Sequence, residues 1–464
     1  MATSRGPTVS RALSTLLANG SIPVAAYRQD LAAYTAAKRS LGHLSGTRRA
    51  ELGAVIANLQ AIAGAGGLTA SRAPVLFLTL ERNRRWWTTE PLLSAAERVS
   101  FPDSKIVWEY YPGQGIEIQW LGTFGKANGY FNSGHENGNM RQLLNEAIPL
   151  ATARAGGIAW EYLFRFDGGV PPWTSGLSQG TALQALSRGY QRFKDPAYLQ
   201  AAQQALGIFK TPTPTGVRVK TKAGANYAQY TFAPSDRILN GFIQALVGLY
   251  EYTSITKDPV GLELFEAGDA EARAQVPHYD TGAWSLYDQF GESSLNYHEL
   301  LTEFLQHLCE RTRRGPPMVA GATPPPASTT PTTTTSSPSG GTAPSARTAA
   351  GASPIPGDSV YCATAQRFTT DLQTPPVVSL LSTRVRAGTR AGVTISLSKI
   401  STVSLTVRKG TKVVWTNRAT VAAGKPKLLW VTPSAGGSFS ITLSAADLAG
   451  NFSTAHGTIT VTRK

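Results

Sequence analysis

Residues 226–252 read NYAQYTFAPSDRILNGFIQALVGLYEY and join two kinds of sequence. The first half is rich in aromatic, proline and polar residues, as is typical of a connection between elements. In the second half, apolar residues recur at intervals of three and four from Ile238 onward. That spacing predicts an amphipathic helix with one face against a core. The stretch therefore indicates a helical fold in which long aromatic connections lead into helices.

The same helical spacing recurs throughout residues 1–313. It predicts further amphipathic helices in AYRQDLAAYTAAKRSL, RRAELGAVIANLQAIA, NMRQLLNEAIPLATARA, QGTALQALSRGYQRF, AYLQAAQQALGIF and NYHELLTEFLQHLCER. Antiparallel helix pairs joined by long connections can close into an α/α toroid, an incomplete α/α barrel whose central cleft is lined by the connections. We therefore expect an N-terminal helical segment at 1–75 and an α/α toroid at 141–313.

Residues 76–140 are expected to form a small β unit docked on the helical body. Three runs there suggest strands, PVLFLTL, KIVWEYYPGQGIEIQWLGTFG and NGYFN. Apolar, β-branched and aromatic residues of this kind fit a pleated, half-buried surface. The β unit is thus predicted between two helical parts.

A stretch of low complexity separates the helical part from the C-terminus. Residues 315–356 contain ten prolines among Thr, Ser, Gly and Ala, so 314–357 is predicted to be an extended linker of the kind usual in secreted proteins. Beyond it, short alternating apolar runs recur about every ten residues, which predicts an antiparallel, immunoglobulin-like β-sandwich at 372–464. The predicted fold class is therefore multidomain.

The positive charge of the chain lies at its two ends. The formal net charge is +15. Residues 1–75 contain 8 Lys+Arg against 2 Asp+Glu, and residues 376–464 contain 12 against 1, whereas residues 76–313 contain 21 against 24. Because long-range attraction is blind to sequence, a basic C-terminal module suits an anionic polymer or cell surface. Nucleic acid is disfavoured, since no reading helix, RNP or finger pattern is present.

Several other classes of protein and site are set aside. No run of about 18 apolar residues predicts a transmembrane helix. The first thirty residues lack an export signal, although the linker favours an extracellular or cell-wall location. Cys309 and Cys362 form no disulfide framework or metal-ligand motif, and whether they pair with each other stays open. The absence of HExxH and GxxxxGK[ST] disfavours zincin and P-loop chemistry, and no metal site is predicted.

Large aromatic residues concentrate in the predicted connections, many of them beside Gly or Pro. Flat aromatic faces and phenolic hydroxyls along a cleft suit sugar rings, which stack and hydrogen-bond at once. Core packing is the simpler interpretation of any single residue, and the whole set favours carbohydrate binding. Its members are Trp86, Trp87, Trp108, Tyr110, Tyr111, Trp120, Tyr130, Trp160, Trp173, Tyr227, Tyr230, Tyr279, Trp284 and Tyr287.

Three segments, residues 171–206, 226–252 and 278–304, together resemble a known family. They contain, in order, W-x-S-x-x-x-Q-G, Y-x-x-x-P-S-x-x-x-L-N-G-F-x-x-x-L-x-G-L-Y, Y-D-T-G and Y-H. This order and spacing resembles the C-terminal domain of D-glucuronyl C5-epimerases. The resemblance implies conversion of glucuronate to iduronate in a heparan-type polysaccharide without a redox cofactor. It is also compatible with a calcium ion, for which the sequence indicates no ligands.

The resemblance assigns catalysis to Tyr230, Tyr287 and Tyr297. Epimerisation removes the proton at C5, beside the uronate carboxylate, and returns one to the opposite face, so two acid/base groups must flank the ring. A phenol has a reference pKa of about 10, and lowering it to about 7 requires roughly 4 kcal/mol of selective phenolate stabilisation. The candidate donors to the phenolates and to the developing enolate are Asn240, His298, Lys126 and Arg237.

Tyr297 is predicted to lie in the first turn of a helix. Apolar residues recur with helical spacing from Tyr297 onward, and Asn296 followed by Glu299 resembles a capping box. The N-terminal end of a helix carries partial positive charge and favours anions. A substrate carboxylate or a phenolate is therefore expected to be stabilised there.

Further matched positions are assigned to substrate binding by the resemblance, namely Trp173, Ser175, Gln179, Gln229, Asn240, Tyr279, Asp280 and His298. One of them departs from the family, which typically has a glutamate where this chain has Gln229. A glutamine cannot accept a proton. If the carboxylate is essential, another one, such as Asp280 or Glu292, must take its role.

The sequence thus predicts an isomerase, a uronosyl C5-epimerase that acts on an acidic polysaccharide. A polysaccharide lyase is the nearest rival, since it shares the proton abstraction and then expels the group at C4. A glycoside hydrolase needs two carboxylates, for which Asp280 and Glu292 are a nominal pair. A non-catalytic polysaccharide-binding protein of the cell surface is the alternative of a different class. The oligomeric state is left open.

Overall fold

The structure is a computed structural model that describes residues 6–313, 315, 317 and 359–463. Apart from residues 315 and 317, the predicted linker at 314–357 lies outside the described residues. A helical region is followed by a sheet-rich C-terminal region. At this level the predicted order of the fold is confirmed.

The helices of the described residues are, in chain order, α1 (Val9–Ala18), α2 (Val24–His43), α3 (Gly46–Gly64), α4 (Ala73–Thr89), α5 (Trp120–Ser133), α6 (Asn137–Ala147), α7 (Gly176–Phe193), α8 (Pro196–Ala205), α9 (Gly207–Lys210), α10 (Leu239–Thr256), α11 (Pro259–Gln275), α12 (Leu295–Thr312) and α13 (Ser359–Asp371). The strands of the helical region are β1 (Arg98–Val99), β2 (Trp108–Tyr111), β3 (Gly115–Ile118), β4 (Thr152–Arg154), β5 (Gly157–Ala159), β6 (Arg218–Lys220) and β7 (Ala225–Tyr227). The C-terminal strands are β8 (Val378–Leu380), β9 (Arg384–Arg386), β10 (Arg390–Leu397), β11 (Ser401–Lys409), β12 (Lys412–Val421), β13 (Lys427–Val431), β14 (Gly437–Asp447) and β15 (Phe452–Thr462).

Two helix pairs turn at the same local sequence, Lys-Asp-Pro. Lys194 and Lys257 end α7 and α10 in the left-handed conformation, with φ of 55° and 60°. The next residues, Asp195 and Asp258, cap α8 and α11 by accepting a backbone N–H two residues on. The proline that follows each cap is pre-organised for the first helical position. These signals make α7–α8 and α10–α11 helical hairpins.

The long helices of residues 120–371 form two layers. Consecutive contacts join α5, α7, α10 and α12 in a row, and α6, α8, α11 and α13 pack against them in turn. Helices α7 and α10 approach closely through glycine, since a Cβ added to Gly248 would lie 2.1 Å from the carbonyl oxygen of Gly180. Two such layers are what an incomplete α/α barrel requires, and closure into a toroid remains a prediction.

The small β unit is shorter than predicted. Strands β1, β2 and β3 form an antiparallel sheet. The predictions of strands in PVLFLTL and NGYFN were wrong, because these runs lie in α4 and α5. A short apolar run does not by itself distinguish a buried strand from a buried helix. Here Pro74 lies in the first turn of α4, where proline favours a helix start.

The C-terminal strands form two sheets around one core. The orders are β12-β11-β14-β15-β9 and β13-β10-β8, and side chains such as Leu405 and Ile441 of the first sheet pack with Ile395 and Trp430 of the second. We call residues 378–462 the two-sheet unit. Its immunoglobulin-like topology remains a prediction.

Helix α13 belongs to the helical region although it follows the linker. Tyr361, Cys362 and Phe368 are buried in the same core as the preceding helices, whereas the two-sheet unit has a core of its own. A disulfide between Cys309 and Cys362 joins α12 to α13, which answers the question that the sequence left open. The residues after the linker are therefore attached to the helical region through α13.

Among the described residues, no helix combines the length and the hydropathy needed to cross a membrane. The same residues contain no group of three or more His, Cys, Asp or Glu side chains able to hold a metal ion.

Candidate active site

The three predicted catalytic tyrosines come together from two segments of the chain. Tyr230 lies in the loop between β7 and α10, which we call the 228–238 loop. Tyr287 and Tyr297 lie in residues 280–297, the tyrosine segment, which leads into α12. The ring centroids of Tyr287 and Tyr297 are 4.6 Å apart, and Tyr230 interacts electrostatically with both.

Gln289 of the tyrosine segment holds the two segments together. Its Oε1 accepts from the backbone N–H of Arg237 at 2.9 Å, and its Nε2 donates to the carbonyl oxygen of Ser235 at 2.9 Å. The backbone N–H of Leu239 also donates to the carbonyl oxygen of Tyr287 at 3.3 Å. These hydrogen bonds hold the two segments against each other.

The phenols are weakly acidic in this arrangement. Burial raises the pKa of Tyr230 and of Tyr287, and neighbouring phenols and the carboxylate of Asp236 raise it further. The side chain of Gln229 opposes both shifts by hydrogen bonding. Both hydroxyls are therefore protonated at neutral pH in the free protein, so they are proton donors before they can be bases.

Gln229 replaces the expected carboxylate by a hydrogen-bond donor. Its Nε2 donates to the hydroxyl of Tyr230 at 3.1 Å. Its Oε1 lies against the first turn of α10, where a Cβ added to Gly241 would come within 2.2 Å of it. A donor at the phenol oxygen favours the phenolate. Gln229 thus favours the phenolate of Tyr230, whereas a carboxylate in its place would disfavour it.

Unpartnered buried polar atoms concentrate beside Tyr230. In the described part of the chain, Gln229 Oε1, Asp236 Oδ1, Arg237 Nη1 and Asn240 Oδ1 are buried and have no hydrogen-bond partner. Such atoms are rare in folded proteins and need an explanation where they occur. Those of Gln229, Asp236 and Asn240 indicate positions where ligand hydroxyls or water complete the hydrogen bonding, whereas Arg237 lines a separate cavity.

Two carboxylates that the sequence analysis missed, Asp236 and Asp167, lie near the phenols, and a third, Asp288, lies near Asp236. Burial raises the pKa of Asp236, and the nearby charges of Asp288 and Asp167 raise it further. Asp236 in turn acts on Tyr230 and Tyr287. Asp236 lies six residues after Tyr230 in the same connection, and this spacing could have indicated that the two are close. The family motifs did not point to Asp236, because it is not part of them.

A wall of aromatic side chains lies around Trp173. The indole of Trp173 is almost fully buried, stacks on Tyr162 with 4.3 Å between centroids, and donates from Nε1 to the carbonyl oxygen of Phe164 at 2.8 Å. A cavity next to it is lined by Tyr111, Gln119, Leu121, Tyr162, Phe164, Phe166, Trp173, Ser175, Leu177, Gln229 and Tyr230. Aromatic residues alternate along the chain at Trp160, Tyr162, Phe164 and Phe166, and this alternation could have indicated the wall from the sequence.

Four helices begin at the site. Gln119 and Ser175 cap α5 and α7 and line the cavity, while Asn240 and Tyr297 lie in the first turns of α10 and α12. Helix N-termini carry partial positive charge. Their convergence favours an anionic ligand group, such as a carboxylate or an enolate, in spite of the neighbouring carboxylates.

The position of Tyr297 is confirmed and its predicted cap is wrong. Helix α12 begins at Leu295, and the hydroxyl of Ser294, rather than Asn296, accepts from the backbone N–H of Tyr297 at 3.5 Å. The helix starts two residues earlier than the apolar stripe suggested. Tyr297 remains in the first turn and is 42 % exposed, so its hydroxyl is accessible to a substrate.

His298 is a structural residue and does not face the phenols. Its ring stacks on Trp284 with 3.8 Å between centroids. Its Nδ1 accepts from the backbone N–H of Ser285 at 3.2 Å, so Nε2 carries the proton and donates to the carbonyl oxygen of Phe368 at 3.0 Å. Burial lowers its pKa to about 4. The expectation that it stabilises a phenolate is therefore not met.

Asp280 and Glu292 do not replace the missing carboxylate. Asp280 pairs with Arg367 of α13 at 2.6 Å. Glu292 accepts from the backbone N–H groups of Ile400 and Ala423 in the two-sheet unit. Both carboxylates are thus engaged with the C-terminal region, which the sequence offered no means to foresee.

Other predicted residues also serve the scaffold. Gln179 is buried, and its Nε2 donates to the carbonyl oxygen of Trp160. Tyr279 donates to the carbonyl oxygen of Arg237. Lys126 donates to the carbonyl oxygen of Lys105, and Arg237 lines a separate cavity. Of the aromatic set, Trp86, Trp87, Trp120 and Tyr130 lie within helices rather than in connections.

Comparisons with known proteins identify the region that carries the site. Residues 156–317 match the family model described as D-glucuronyl C5-epimerase C-terminus. The chain is 32% identical over 131 residues to a D-glucuronyl C5-epimerase of Caenorhabditis elegans, which covers 25% of this chain and 21% of the relative. It is 30% identical over 151 residues to an uncharacterized protein of Methanocaldococcus jannaschii, covering 31% of this chain and 49% of the relative. The chain thus spans from about a fifth to about half the length of these relatives.

Among solved structures, an engineered protein matches with a TM-score of 0.15 and 22% identity over 24% of this chain and 29% of that protein. This likeness is too small to describe the fold. The family match contains all three tyrosines together with the 228–238 loop. The resemblance read from the sequence is confirmed for residues 156–317, which match the D-glucuronyl C5-epimerase C-terminal family model.

Proposed function

We propose that this chain is a uronosyl C5-epimerase that inverts C5 of glucuronate units in an acidic polysaccharide. The observation that carries the proposal is the meeting of Tyr230 with the Tyr287–Tyr297 pair. Tyr230 and Gln229 also line the cavity beside Trp173, and buried polar atoms of Gln229, Asp236 and Asn240 have no partner among the described residues. Membership of residues 156–317 in the epimerase family supports the reaction class.

The proposed reaction is a proton exchange in which every atom is accounted for. One group takes the proton from C5, and the electron pair is delocalised into the adjacent carboxylate as an enolate. A second group then gives a proton to C5 from the opposite face, which inverts the centre and restores the carboxylate. Direct exchange of this kind needs no redox cofactor.

The two faces are assigned to the two segments. Tyr230 acts from the 228–238 loop, where the amide of Gln229 stabilises its phenolate. Tyr287 and Tyr297 pack ring to ring and act from the tyrosine segment. The N-terminal ends of four helices favour the carboxylate and the enolate through their partial positive charge. The roles exchange in the reverse reaction.

We also propose an extracellular or cell-wall location and an anionic partner. The disulfide between Cys309 and Cys362 supports an oxidising compartment, since such bonds are rare in the reducing cytosol. The excess of Lys and Arg in residues 376–464 supports attraction to an anionic polymer or cell surface.

The test is exchange of C5 hydrogen in deuterated solvent. A glucuronate-containing polysaccharide incubated with the protein should gain deuterium at C5 and iduronate signals by NMR, without loss of chain length. An ultraviolet absorbance from C4–C5 unsaturation would instead identify a lyase. Shortening without that absorbance would identify a hydrolase.

A non-catalytic polysaccharide-binding protein is the second candidate, favoured by one observation. Gln229 stands where a carboxylate base is typical of the family, and it cannot accept a proton. Binding of the polymer without any deuterium incorporation would support this candidate. Gain of incorporation in Gln229→Glu would then show which group had been lost.

A further inference from the structure

The tyrosine segment is held from outside the family-matched region. Within the segment, the backbone N–H of Tyr287 donates to the carbonyl oxygen of Gly291 at 2.9 Å, and Leu286 forms a bridge with Glu292. The segment thus folds back on itself as a short hairpin whose two arms carry Tyr287 and lead to Tyr297. Glu292 lies five residues from each tyrosine, in the returning arm of the hairpin opposite Leu286.

The two-sheet unit contacts this hairpin through Glu292. The Oε1 atom accepts from the backbone N–H of Ile400 at 2.9 Å, and Oε2 accepts from that of Ala423 at 2.8 Å. Ile400 lies between β10 and β11, and Ala423 between β12 and β13. Both carboxylate oxygens are therefore bonded to two different turns of one rigid unit. Hydrogen bonds to an ionised acceptor are stronger than neutral ones.

A second contact lies behind the hairpin at Trp284. Lys399, which is 1 % exposed, forms an ion pair with Asp447 at 2.8 Å and places Nζ 5.2 Å from the centre of the Trp284 ring. The other side of Trp284 stacks on His298, which is bonded to α13 through Phe368. The indole is thus enclosed between the two-sheet unit and the residue that follows Tyr297.

Helix α13 completes the attachment. Arg367 pairs with Asp280 at the start of the tyrosine segment, and the disulfide between Cys309 and Cys362 ties α13 to α12. Residues 359–463 thus hold the start of the segment at Asp280, its returning arm at Glu292, and its end through α12. The 228–238 loop, by contrast, is held within the helical region.

We propose that Glu292 is a positioning residue through which the two-sheet unit fixes Tyr287 and Tyr297, so that residues 359–463 are part of the working site and not only a surface-binding module. The inference rests on the proposed function for its effect on turnover. Its effect on the order of the hairpin is independent of that function.

Hydrogen exchange of the full chain tests the structural half of the proposal. Glu292→Gln keeps the shape of the side chain but replaces one acceptor oxygen by an NH2 group, which then faces a backbone N–H donor. Glu299→Gln changes an exposed glutamate on α12 and is the control. We expect backbone amides of residues 285–297 to exchange about tenfold faster in Glu292→Gln, the effect of losing about one charge-assisted hydrogen bond. Glu299→Gln should match the wild type. Unchanged exchange in Glu292→Gln would overturn the proposal.

Turnover tests the functional half. A displaced tyrosine pair should lower kcat about tenfold with little change in KM, since misplacement affects the reacting geometry more than binding. Ala423→Pro deletes one donor from the other side of the contact and should reproduce both effects if the protein folds. Faster exchange with unchanged kcat would overturn the positioning role. A wild-type protein without epimerisation would refute the proposed function, while the exchange result would still decide whether Glu292 holds the hairpin.

Discussion

The two segments that build the site differ in how their polar groups are satisfied. In the 228–238 loop and the first turn of α10, several buried polar atoms have no partner in the described structure. In the tyrosine segment, Asp280 and Glu292 are both bonded, as is His298 directly after it, and each reaches the C-terminal region. The first segment is therefore suited to bind a ligand, and the second to hold phenols in place. Substitutions in the two should accordingly affect different properties.

The largest expected effect is on stability, through the attachment of the tyrosine segment. Replacing both Cys309 and Cys362 by Ser should lower the free energy of unfolding by about 4 kcal/mol, because the bond closes a loop with a sequence separation of 53 residues. Denaturant titration of the oxidised wild type and the double variant measures this. A difference below about 1 kcal/mol would show that α13 is held by packing alone.

His298 should make the same segment sensitive to acid. Its folded pKa of about 4 lies below the unfolded value of 6.5, so the unfolded state binds the proton first as pH falls. Stability should be complete above pH 6.5 and decline by about 3 kcal/mol towards pH 4. Unfolding measured at several pH values should show this decline in the wild type and a smaller one in His298→Phe.

The control for the acid effect is the half-buried His307, whose replacement by Phe should leave the wild-type pH dependence in place. Equal slopes in the wild type and His298→Phe would contradict the assignment of a neutral, buried imidazole.

Tyr297→Phe should separate chemistry from packing. The ring that starts the apolar stripe is kept and only the accessible hydroxyl is lost, so turnover should fall at least about a hundredfold while thermal stability is nearly unchanged. C5 deuterium exchange and thermal unfolding are the two measurements. Tyr130→Phe, on α5, is the control and should retain activity. Near-normal exchange in Tyr297→Phe would mean that the family role has been assigned to the wrong residue.

Asp236→Asn tests the ligand-binding segment with a smaller effect. Removal of a carboxylate beside two phenols should lower kcat about tenfold if that carboxylate takes part in proton transfer. Stability should be unchanged or slightly higher, because the raised pKa of Asp236 means that its charge is unfavourable in the fold.

Asp288→Asn is the matched control for Asp236→Asn. It removes a nearby charge, and its remaining side-chain oxygen can still accept the backbone N–H groups of Phe290 and Gly291. Equal activities of both Asn variants would assign the effect to the local field rather than to Asp236 itself.

Much of the site was predictable because its residues belong to patterns that are local in the sequence. The helical spacing after Ile238 and after Tyr297 predicted α10 and α12, and the four family motifs selected the three tyrosines. Predictions failed where one pattern fits two structures, as in PVLFLTL. They also failed for Gln179 and His298, where a matched position serves the scaffold beneath the site.

By itself, the sequence determined the order of helical and sheet-rich parts, the presence of helices such as α10 and α12, and the family model that residues 156–317 match. Periodicity, capping and motif spacing act over a few residues, so they can be read along the chain. Only the tertiary structure decided that Asp236 faces the phenols, that Asp280 and Glu292 are occupied elsewhere, and that residues 359–463 hold the tyrosine segment. The contacts of Asp280 and Glu292 join groups that are 87 to 131 residues apart in the chain. Burial and pairing at such separations depend on packing of the whole chain rather than on any local pattern.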